Sequence, residues 1–568
     1  MRPTARGTPD DSGLPRYRPQ QTEQAAPCEA ACASGSQIRT WIGQVAQRDR
    51  TGLDTHEAYA TAWRTLTDAN PFPSVLGRIC PHPCEFGCNR SENDGALAIN
   101  ALERFLGDWA IEQGLGLDVL DTEPKAETMG VIGAGPSGLS FAYQMARRGY
   151  PVTVYERRPM AGGMLRYGVP DYRLPPDVLT AEIERIRELG VEIRTGTAIG
   201  VDISFEEVRS AHDILYLGIG AQLPRLLGVP GEDGPGVFTG TAYLNEVNEG
   251  HQVDVGTRVI VVGGGNTAID AARVARRAGA EVTLVYRRTR TEMPAIPAEV
   301  DEALAEGIGL ELLTGPVEVV RTEGTVTGLI TQRMRLAEPG PDGRRRPEPE
   351  PGAVFEMAAD TVIAAVSQEP DWTALDGIDL QDGWIATSDF GWVDGAMWAG
   401  GDVRGLDIAG SAITHGRRAA EQVHARLRGL TPPDGHGSAP IGADRVNFDF
   451  KQTAPPVRPR HLEVDQALRN PTAEPTATIT EEEFLAEVGR CFSCGLCMGC
   501  QQCWMYCTSM SFTKVADPRP GHYYTLSLDA CEECGKCIEV CPCGYLEVTP
   551  SVIRSTIDVG ESDQSSYR

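Results

Sequence analysis

The sequence predicts a multidomain α/β protein, on three observations. Two strand–glycine turn–helix–strand units occur in one chain, at 131–155 and 259–286. The 16 cysteines fall into two clumps, five from Cys28 to Cys88 and eleven from Cys491 to Cys543. A length of 568 residues exceeds what one ordinary core encloses, since domains usually hold about 100–150 residues. The order expected is a helical N-terminal iron–sulfur domain, two Rossmann-like dinucleotide-binding domains, and a C-terminal α+β ferredoxin-like domain.

In the first unit, Val131-Ile132 runs into Gly133-Ala134-Gly135-Pro136-Ser137-Gly138. An amphipathic stretch follows from Leu139 to Arg148, and a second apolar run, 152–155, ends at Glu156. This is the pattern of a dinucleotide site. Gly133 permits the tight turn, Gly135 lets the backbone approach a pyrophosphate, and Gly138 lets the helix pack on its strand. Pro136 and Ser137 open the helix whose N-terminus faces the phosphates. Glu156 is the acid that a ribose needs.

Composition narrows the function classes. No run approaches the roughly 18 apolar residues of a membrane span, and the polar start lacks an apolar signal core, so a soluble cytoplasmic protein is expected. A net charge of -27 argues against nucleic-acid binding, because phosphate would be repelled over most of the surface, while basic partner faces would be attracted. Cysteines clumped at the two ends suit metal binding better than a disulfide framework.

Taken in order, residues 1–21 are rich in Pro, Arg and Asp without periodicity and are expected as a mobile tail. Residues 22–124 form the helical domain, with Cys28-x3-Cys32 and then Cys80-x3-Cys84-x3-Cys88. Cys28, Cys32, Cys84 and Cys88 are the expected ligands of one iron–sulfur cube, with Cys80 spare or a substitute. Zinc remains the alternative, and His82 reads as a loop residue.

The first dinucleotide domain occupies 125–253 and returns at 367–430. Gly162-Gly163 follows its acid, where a glycine pair implies close backbone approach to the nucleotide or an ordinary loop. Between these parts, 254–366 carries the second turn, Gly263-Gly264-Gly265-Asn266-Thr267-Ala268. Its second strand ends in Arg287-Arg288 where an NAD site often carries an acid. Guanidinium groups there can pair with a 2′-phosphate, favouring NADPH over NADH unless they are merely solvated. A polar insertion at 337–351 is expected as a hairpin or loop. Gly400-Gly401-Asp402 precedes a helix at 408–427, and Asp402 either accepts from ribityl hydroxyls or caps the helix.

Residues 431–480 read as an extended connector. The module at 481–553 holds Cys531-x2-Cys534-x2-Cys537-x3-Cys541-Pro542 and the second copy Cys497-x2-Cys500-x2-Cys503-x3-Cys507, the bacterial two-cluster ferredoxin run. The fourth cysteine of each run ligates the other cluster. Cys497, Cys500, Cys503 and Cys541 therefore form one set and Cys531, Cys534, Cys537 and Cys507 the other. Cys491, Cys494 and Cys543 are left over, inert or reflecting a partner contact, and 554–568 is a tail.

Over about 27–427 the chain resembles the small-subunit family of glutamate synthase, which shares its architecture with the NADPH-binding part of dihydropyrimidine dehydrogenase. The resemblance is carried by Gly-Arg-Ile-Cys-Pro-His-Pro-Cys-Glu, Gly-Ala-Gly-Pro-Ser-Gly-Leu, Gly-Gly-Gly-Asn-Thr-Ala-Ile-Asp, Tyr-Arg-Arg and Ala-Gly-Gly-Asp-Val. It implies FAD on the first turn, NAD(P)H on the second, and a flavin site completed by Gly401 and Asp402. The chain lacks the additional Cys-x2-Cys that the family often carries before the pair matching Cys28 and Cys32, so only one N-terminal cluster is expected. The appended module, with Cys-x-x-Cys-Trp-Met-Tyr-Cys, looks like DsrL-type iron–sulfur flavoproteins that serve dissimilatory sulfite reductase.

The expected activity is NAD(P)H:acceptor electron transfer through FAD and [4Fe-4S] clusters, two of them C-terminal, to or from a protein partner. Hetero-oligomers or a homodimer are compatible with it. Hydride transfer requires no side-chain acid or base, so no catalytic residue is named. A glutamate synthase small subunit and a nonenzymatic redox scaffold or sensor are the alternatives. A flavin disulfide reductase is disfavoured because no cysteine occurs from Asn89 to Arg490.

Overall fold

Strands buried along their whole length need cover on both faces, and the central strands of the two main sheets of this protein, such as Met129–Ile132, Ile214–Leu217 and Thr361–Ala364, have that character. The computed structural model describes residues 8–9, 15–16, 18–340, 345–375, 377–432 and 439–549. Much of the expected tails at 1–21 and 554–568 lies outside them. The first sheet is six-stranded, and its order across the sheet is Trp392–Asp394, Met397–Ala399, Ile214–Leu217, Met129–Ile132, Val152–Tyr155 and Glu192–Arg194. All pairs are parallel except the first. Val131 sits opposite both Val154 and Tyr216, which brings the end of the glycine-turn strand to the sheet centre.

The second sheet is five-stranded and wholly parallel, in the order Gly309–Leu312, Glu281–Tyr286, Arg258–Val262, Thr361–Ala364 and Val237–Thr239. A three-stranded antiparallel sheet, Thr314–Thr322, Thr325–Pro339 and Arg345–Ala358, extends from it. The polar insertion is thus the end of a long hairpin, with Pro339 paired to Arg345; residues 341–344 lie outside the described residues.

The N-terminal helices include Ile38–Ala46, Thr55–Ala69, Pro73–Ile79 and Ile99–Glu112. They bury Trp41, Tyr59, Trp63, Phe72, Leu102 and Leu106 in one core. Their junction with the first sheet is fixed by Glu182, whose fully buried carboxylate accepts from Ser74 N at 2.8 Å and Val75 N at 3.1 Å. Those donors open the helix Pro73–Ile79 and would otherwise be orphaned.

Two segments differ from expectation. Arg18–Gln21, assigned to the tail, is a strand paired antiparallel with Leu546–Thr549. The helix Glu481–Gly489, assigned to the C-terminal module, belongs to the N-terminal core, where Phe484 stacks on Phe105 at 4.2 Å. In both cases short apolar or polar stretches without periodicity of their own are organised by distant partners. The connector at 431–480 is strapped down in its described part: Glu474 pairs with Arg78 and Arg104, and Arg104 donates to Thr478 and Thr476.

Candidate functional site

The first glycine turn is closed by contacts that exclude side chains. A Cβ on Gly138 would lie 2.1 Å from Gly133 O, and one on Gly133 2.4 Å from Gly218 O. Gly162 N donates to Ala134 O at 2.8 Å, and Gly163, at φ +54, packs where a Cβ would meet Gly135 Cα at 2.8 Å. The glycine pair therefore sits on the turn itself. The helix Pro136–Ala146 begins there with Gly135 as its cap residue and no side-chain cap, so its first amides face the nucleotide position. Glu156 accepts from Ala134 N and Arg158 N, both at 2.9 Å, which aims one lone pair of each oxygen inward; burial pushes its carboxyl up.

The Gly-Gly-Asp block closes on the same helix. A Cβ on Gly400 would strike Tyr216 Oη at 2.1 Å, and Gly401, at φ +75, lies against Ser137. Ser137 and Tyr216 share a hydrogen bond of 2.6 Å, and Tyr216 stacks on Phe141 at 4.4 Å. Asp402 is half-buried, accepts only weakly from Asp407 N at 3.4 Å, and is pushed up to about 6 by desolvation. An acceptor held in that state fits hydroxyl donors. His415 was not found from sequence. Its Nδ1 accepts from Gly401 N at 3.1 Å, and burial holds it down to about 4, so the neutral ring carries its proton on Nε2. A lone histidine in a helix of small residues gives no local signal.

At the second turn, a Cβ on Gly263 would meet Ala365 O at 2.2 Å, whereas Gly265 faces open space save for Pro294 at 3.9 Å. Asn266 Oδ1 accepts from Ile296 N at 3.0 Å, and the Thr267 methyl faces Gly240. Those two residues shape the turn's surroundings. Arg287 is exposed, and Arg288 Nε donates to Arg345 O at 3.1 Å, which brings the hairpin end beside the arginine pair.

The two dinucleotide units are latched together by Tyr172 and Arg173. Arg173 Nη1 donates to both oxygens of Asp270, at 2.8 and 3.0 Å, while Nη2 reaches Glu299. The Tyr172 ring lies under Arg277 at 3.9 Å and Arg273 at 4.9 Å.

The N-terminal cysteines divide differently from expectation. Cys28 and Cys88 line one cavity, together with Cys491 and Cys494; Cys32, Cys80 and Cys84 line another. The cavities thus group these cysteines otherwise than the expected set Cys28, Cys32, Cys84 and Cys88, and they place Cys80 beside Cys32 and Cys84. The physical reason is helix length. Pro27–Ala30 and Pro83–Phe86 are single turns, so each helix ends between the two cysteines of an i, i+4 pair and the partners face opposite ways. Cysteine spacing alone does not reveal that break.

The second cavity also presents Glu103, which accepts from Asn70 at 2.8 Å and is pushed up to about 8 by burial. Three thiolates and this carboxylate are the groups there able to hold iron. His82 Nδ1 lies 3.0 Å from Cys80 O in the loop between the cysteines. Burial and then Glu103 push the Cys80 thiol up to about 12, and burial followed by Cys491 and Cys88 does the same to Cys494. Such thiols ionise when a cation replaces the proton. Among the described residues no three His, Cys, Asp or Glu side chains converge tightly enough for a lone ion; these thiols face cavities.

In the C-terminal module, burial and then Cys497, Cys500 and Cys541 raise the Cys503 thiol, and burial followed by Cys531, Cys507 and Cys534 takes Cys537 up to about 12. The structure thus brings together the two exchanged sets. Cys543 lies 3.8 Å from Cys541, sulfur to sulfur, and its hydrogen bond draws Cys541 down to about 6.

Two paired parallel-sheet dinucleotide units with cysteine-lined cavities at one side define a nucleotide-dependent redox protein. The chain belongs to the pyridine nucleotide-disulphide oxidoreductase family, whose profile matches 128–425, in its glutamate synthase small-chain-like branch. The profile of dihydropyrimidine dehydrogenase domain II, 4Fe-4S cluster, matches 20–115. A domain of the first kind implies FAD and NAD(P)H, and one of the second a 4Fe-4S cluster. The NADP(+)-dependent formate dehydrogenase subunit beta of Moorella thermoacetica is 38% identical, over 73% of this chain and 62% of its own length. The NADPH-Fe(3+) oxidoreductase subunit beta of Geobacter sulfurreducens is 41% identical, over 62% of this chain and 53% of its own length. The glutamate synthase [NADPH] small chain of Halomonas elongata is 34% identical, over 70% of this chain and 87% of its own length. The chain thus spans between half and two thirds of the first two relatives. No helix among the described residues is long and apolar enough to cross a membrane.

Proposed function

We propose that the protein is a cytoplasmic iron–sulfur flavoprotein that exchanges electrons between NAD(P)H and a protein partner through FAD and [4Fe-4S] clusters. One observation carries the proposal: packed contacts link the first dinucleotide turn to both N-terminal cysteine cavities. The helix Ala409–Arg428 bears His415 beside the Gly-Gly-Asp block, and on the same helix Thr414 donates to Ala33 O at 2.6 Å. Ala33 adjoins Cys32 and lines its cavity, and Ile38 is a wall common to that cavity and the one holding Cys28.

FAD is assigned to the first turn because the Gly-Gly-Asp block closes on that helix, and NADPH to the second because Arg287 and Arg288 end its second strand. Bound there, the flavin would exchange a hydride with nicotinamide and single electrons with the clusters. The protein's part is positional. Gly133, Gly135 and Gly163 give the pyrophosphate room, Glu156 and Asp402 accept from hydroxyls, and His415 keeps a donor at Nε2. The latch of Arg173 on Asp270 holds the two units in one orientation. Beyond them, the sets Cys497, Cys500, Cys503, Cys541 and Cys531, Cys534, Cys537, Cys507 would carry two clusters of a ferredoxin-like module.

A protein partner is supported by an exposed apolar patch beside these sets: Trp504 is 42%, Met505 57%, Tyr506 50% and Met510 83% exposed. The relatives named as subunits favour the same view. The partner proposed from the C-terminal motif is a sulfite-reductase-type protein. A glutamate synthase small subunit is the second possibility, favoured by the Halomonas relative; NADPH-dependent glutamate formation with a glutaminase-bearing subunit would establish it. Anaerobic stopped-flow mixing with NADPH and NADH tests the main proposal. Fast flavin bleaching, preferring NADPH, is expected; a chain that stays yellow with both refutes it.

A further inference from the structure

We propose that Cys28, Cys88, Cys491 and Cys494 together hold one [4Fe-4S] cluster, in a site built from both ends of the chain. It rests on reading the cysteine clumps as cluster ligands and adds a site whose ligands no single segment supplies. The four cysteines line one cavity, otherwise walled mainly by apolar side chains such as Ile38, Ile42 and Leu97.

The backbone at Cys491 and Cys494 has the shape of a cluster-binding turn. Ser493, two residues after Cys491, is left-handed at φ 53, and Gly495, just after Cys494, is at φ 74. The same two positions are left-handed after Cys497 and Cys500, at Gly499 (φ 66) and Gln501 (φ 68). They are so again after Cys531 and Cys534, at Glu533 (φ 57) and Gly535 (φ 71). A non-glycine residue in this region is strained, so Ser493 is held there by its surroundings. The turn aims Ser493 N at Cys491 Sγ, at 3.3 Å, an N–H···S bond that favours thiolate over thiol.

Charge and anchoring agree. A cube held by four thiolates is anionic, and cationic groups stand next to the turn. Arg39, only 5% exposed, donates to Cys494 O at 3.0 Å, and Lys451 Nζ donates to Cys491 O. Arg39 also pairs with Glu23, yet its buried Nε has no hydrogen-bond partner among the described residues. Gln24 N donates to Gly495 O at 3.1 Å, tying the turn to the segment that leads into Cys28. The site lies between the Cys32 cavity, across Ile38, and the Cys497 set, three residues beyond Cys494. It is the step that makes the two cysteine clumps one path.

The test is iron and acid-labile sulfide per chain in anaerobically purified full-length protein. Cys491→Ser with Cys494→Ser should lose one cluster, about four irons, and Cys28→Ser with Cys88→Ser the same four. The quadruple variant should lose no more than either pair, since all act on one site. Full iron in the Cys491/Cys494 variant, or additive loss of about eight in the quadruple, overturns the proposal. Zinc in place of iron in the wild-type chain overturns it along with the reading it rests on. A measurement on unsubstituted protein guards against misfolding: during partial chelation, Cys28, Cys88, Cys491 and Cys494 should become alkylated in the same step, read by mass spectrometry. Alkylation of Cys491 and Cys494 with all iron retained would overturn it.

Discussion

Removing the Arg173 guanidinium separates the two nucleotide units in a calculable way. Arg173 is 8% exposed and Asp270 4%, and Nη1 serves both carboxylate oxygens. Breaking a buried ion pair by deleting one partner costs about 3–5 kcal/mol, because the other charge is stranded. Here Arg273 also acts on Asp270 electrostatically, so the lower end, about 3 kcal/mol, is expected for Arg173→Ala. For a unit of about 150–250 residues this lowers the melting midpoint by about 6–12 °C. The sign of the pH dependence follows from the carboxylates. Burial already raises Asp270, and takes Glu299 up to about 7, with Arg173 present. Without it both rise further above their unfolded values of about 3.9 and 4.3. Between those limits the folded state binds more protons than the unfolded state, so stability falls as pH rises. The wild-type chain shares that fall until Glu299 ionises near 7, so the deficit of Arg173→Ala widens as pH rises through about 7. Adding Asp270→Asn removes one stranded charge and should recover part of the loss. Flavin reduction by NADPH should slow by roughly 10–100-fold as the nucleotides lose alignment. Differential scanning fluorimetry across pH and stopped-flow absorbance measure both. A midpoint unchanged at about pH 8, or a double variant no more stable than the single one, would refute the account.

Gly163→Ala places a Cβ 2.8 Å from Gly135 Cα at a φ of +54; overpacking of about 1–3 kcal/mol should appear as purified protein with substoichiometric flavin and an otherwise native circular dichroism spectrum. Asp402, held at about 6 by desolvation, should be drawn down by hydroxyl donors of bound FAD. FAD affinity should then fall as pH drops through that value, and Asp402→Asn should flatten the profile in a fluorescence titration. Arg287→Ala with Arg288→Ala should lower the ratio of kcat/KM for NADPH over NADH by roughly tenfold or more, with an unchanged ratio assigning both arginines to solvent.

Local patterns specified much of this protein. A dinucleotide turn is set by a few glycines whose freedom or lack of a Cβ the backbone requires, so Gly133, Gly138 and Gly263 were legible in a short window. The exchanged cysteine sets were legible too, because the x2, x2, x3 spacing follows from one compact fold. His415 and Glu103 were not, since each lies on a helix whose sequence gives no sign of what packs against it.

The sequence by itself determined the two nucleotide-binding units and the identity of the thiols, because both depend on neighbours a few residues away. Only the tertiary structure decided which thiols share a cavity. Single-turn helices at Pro27–Ala30 and Pro83–Phe86 point the cysteines of each pair apart, and the packing of Phe484 into the N-terminal core carries Cys491 and Cys494 to Cys28 and Cys88. Such placement is fixed by burial of apolar surface between distant segments, which spacing along the chain does not encode.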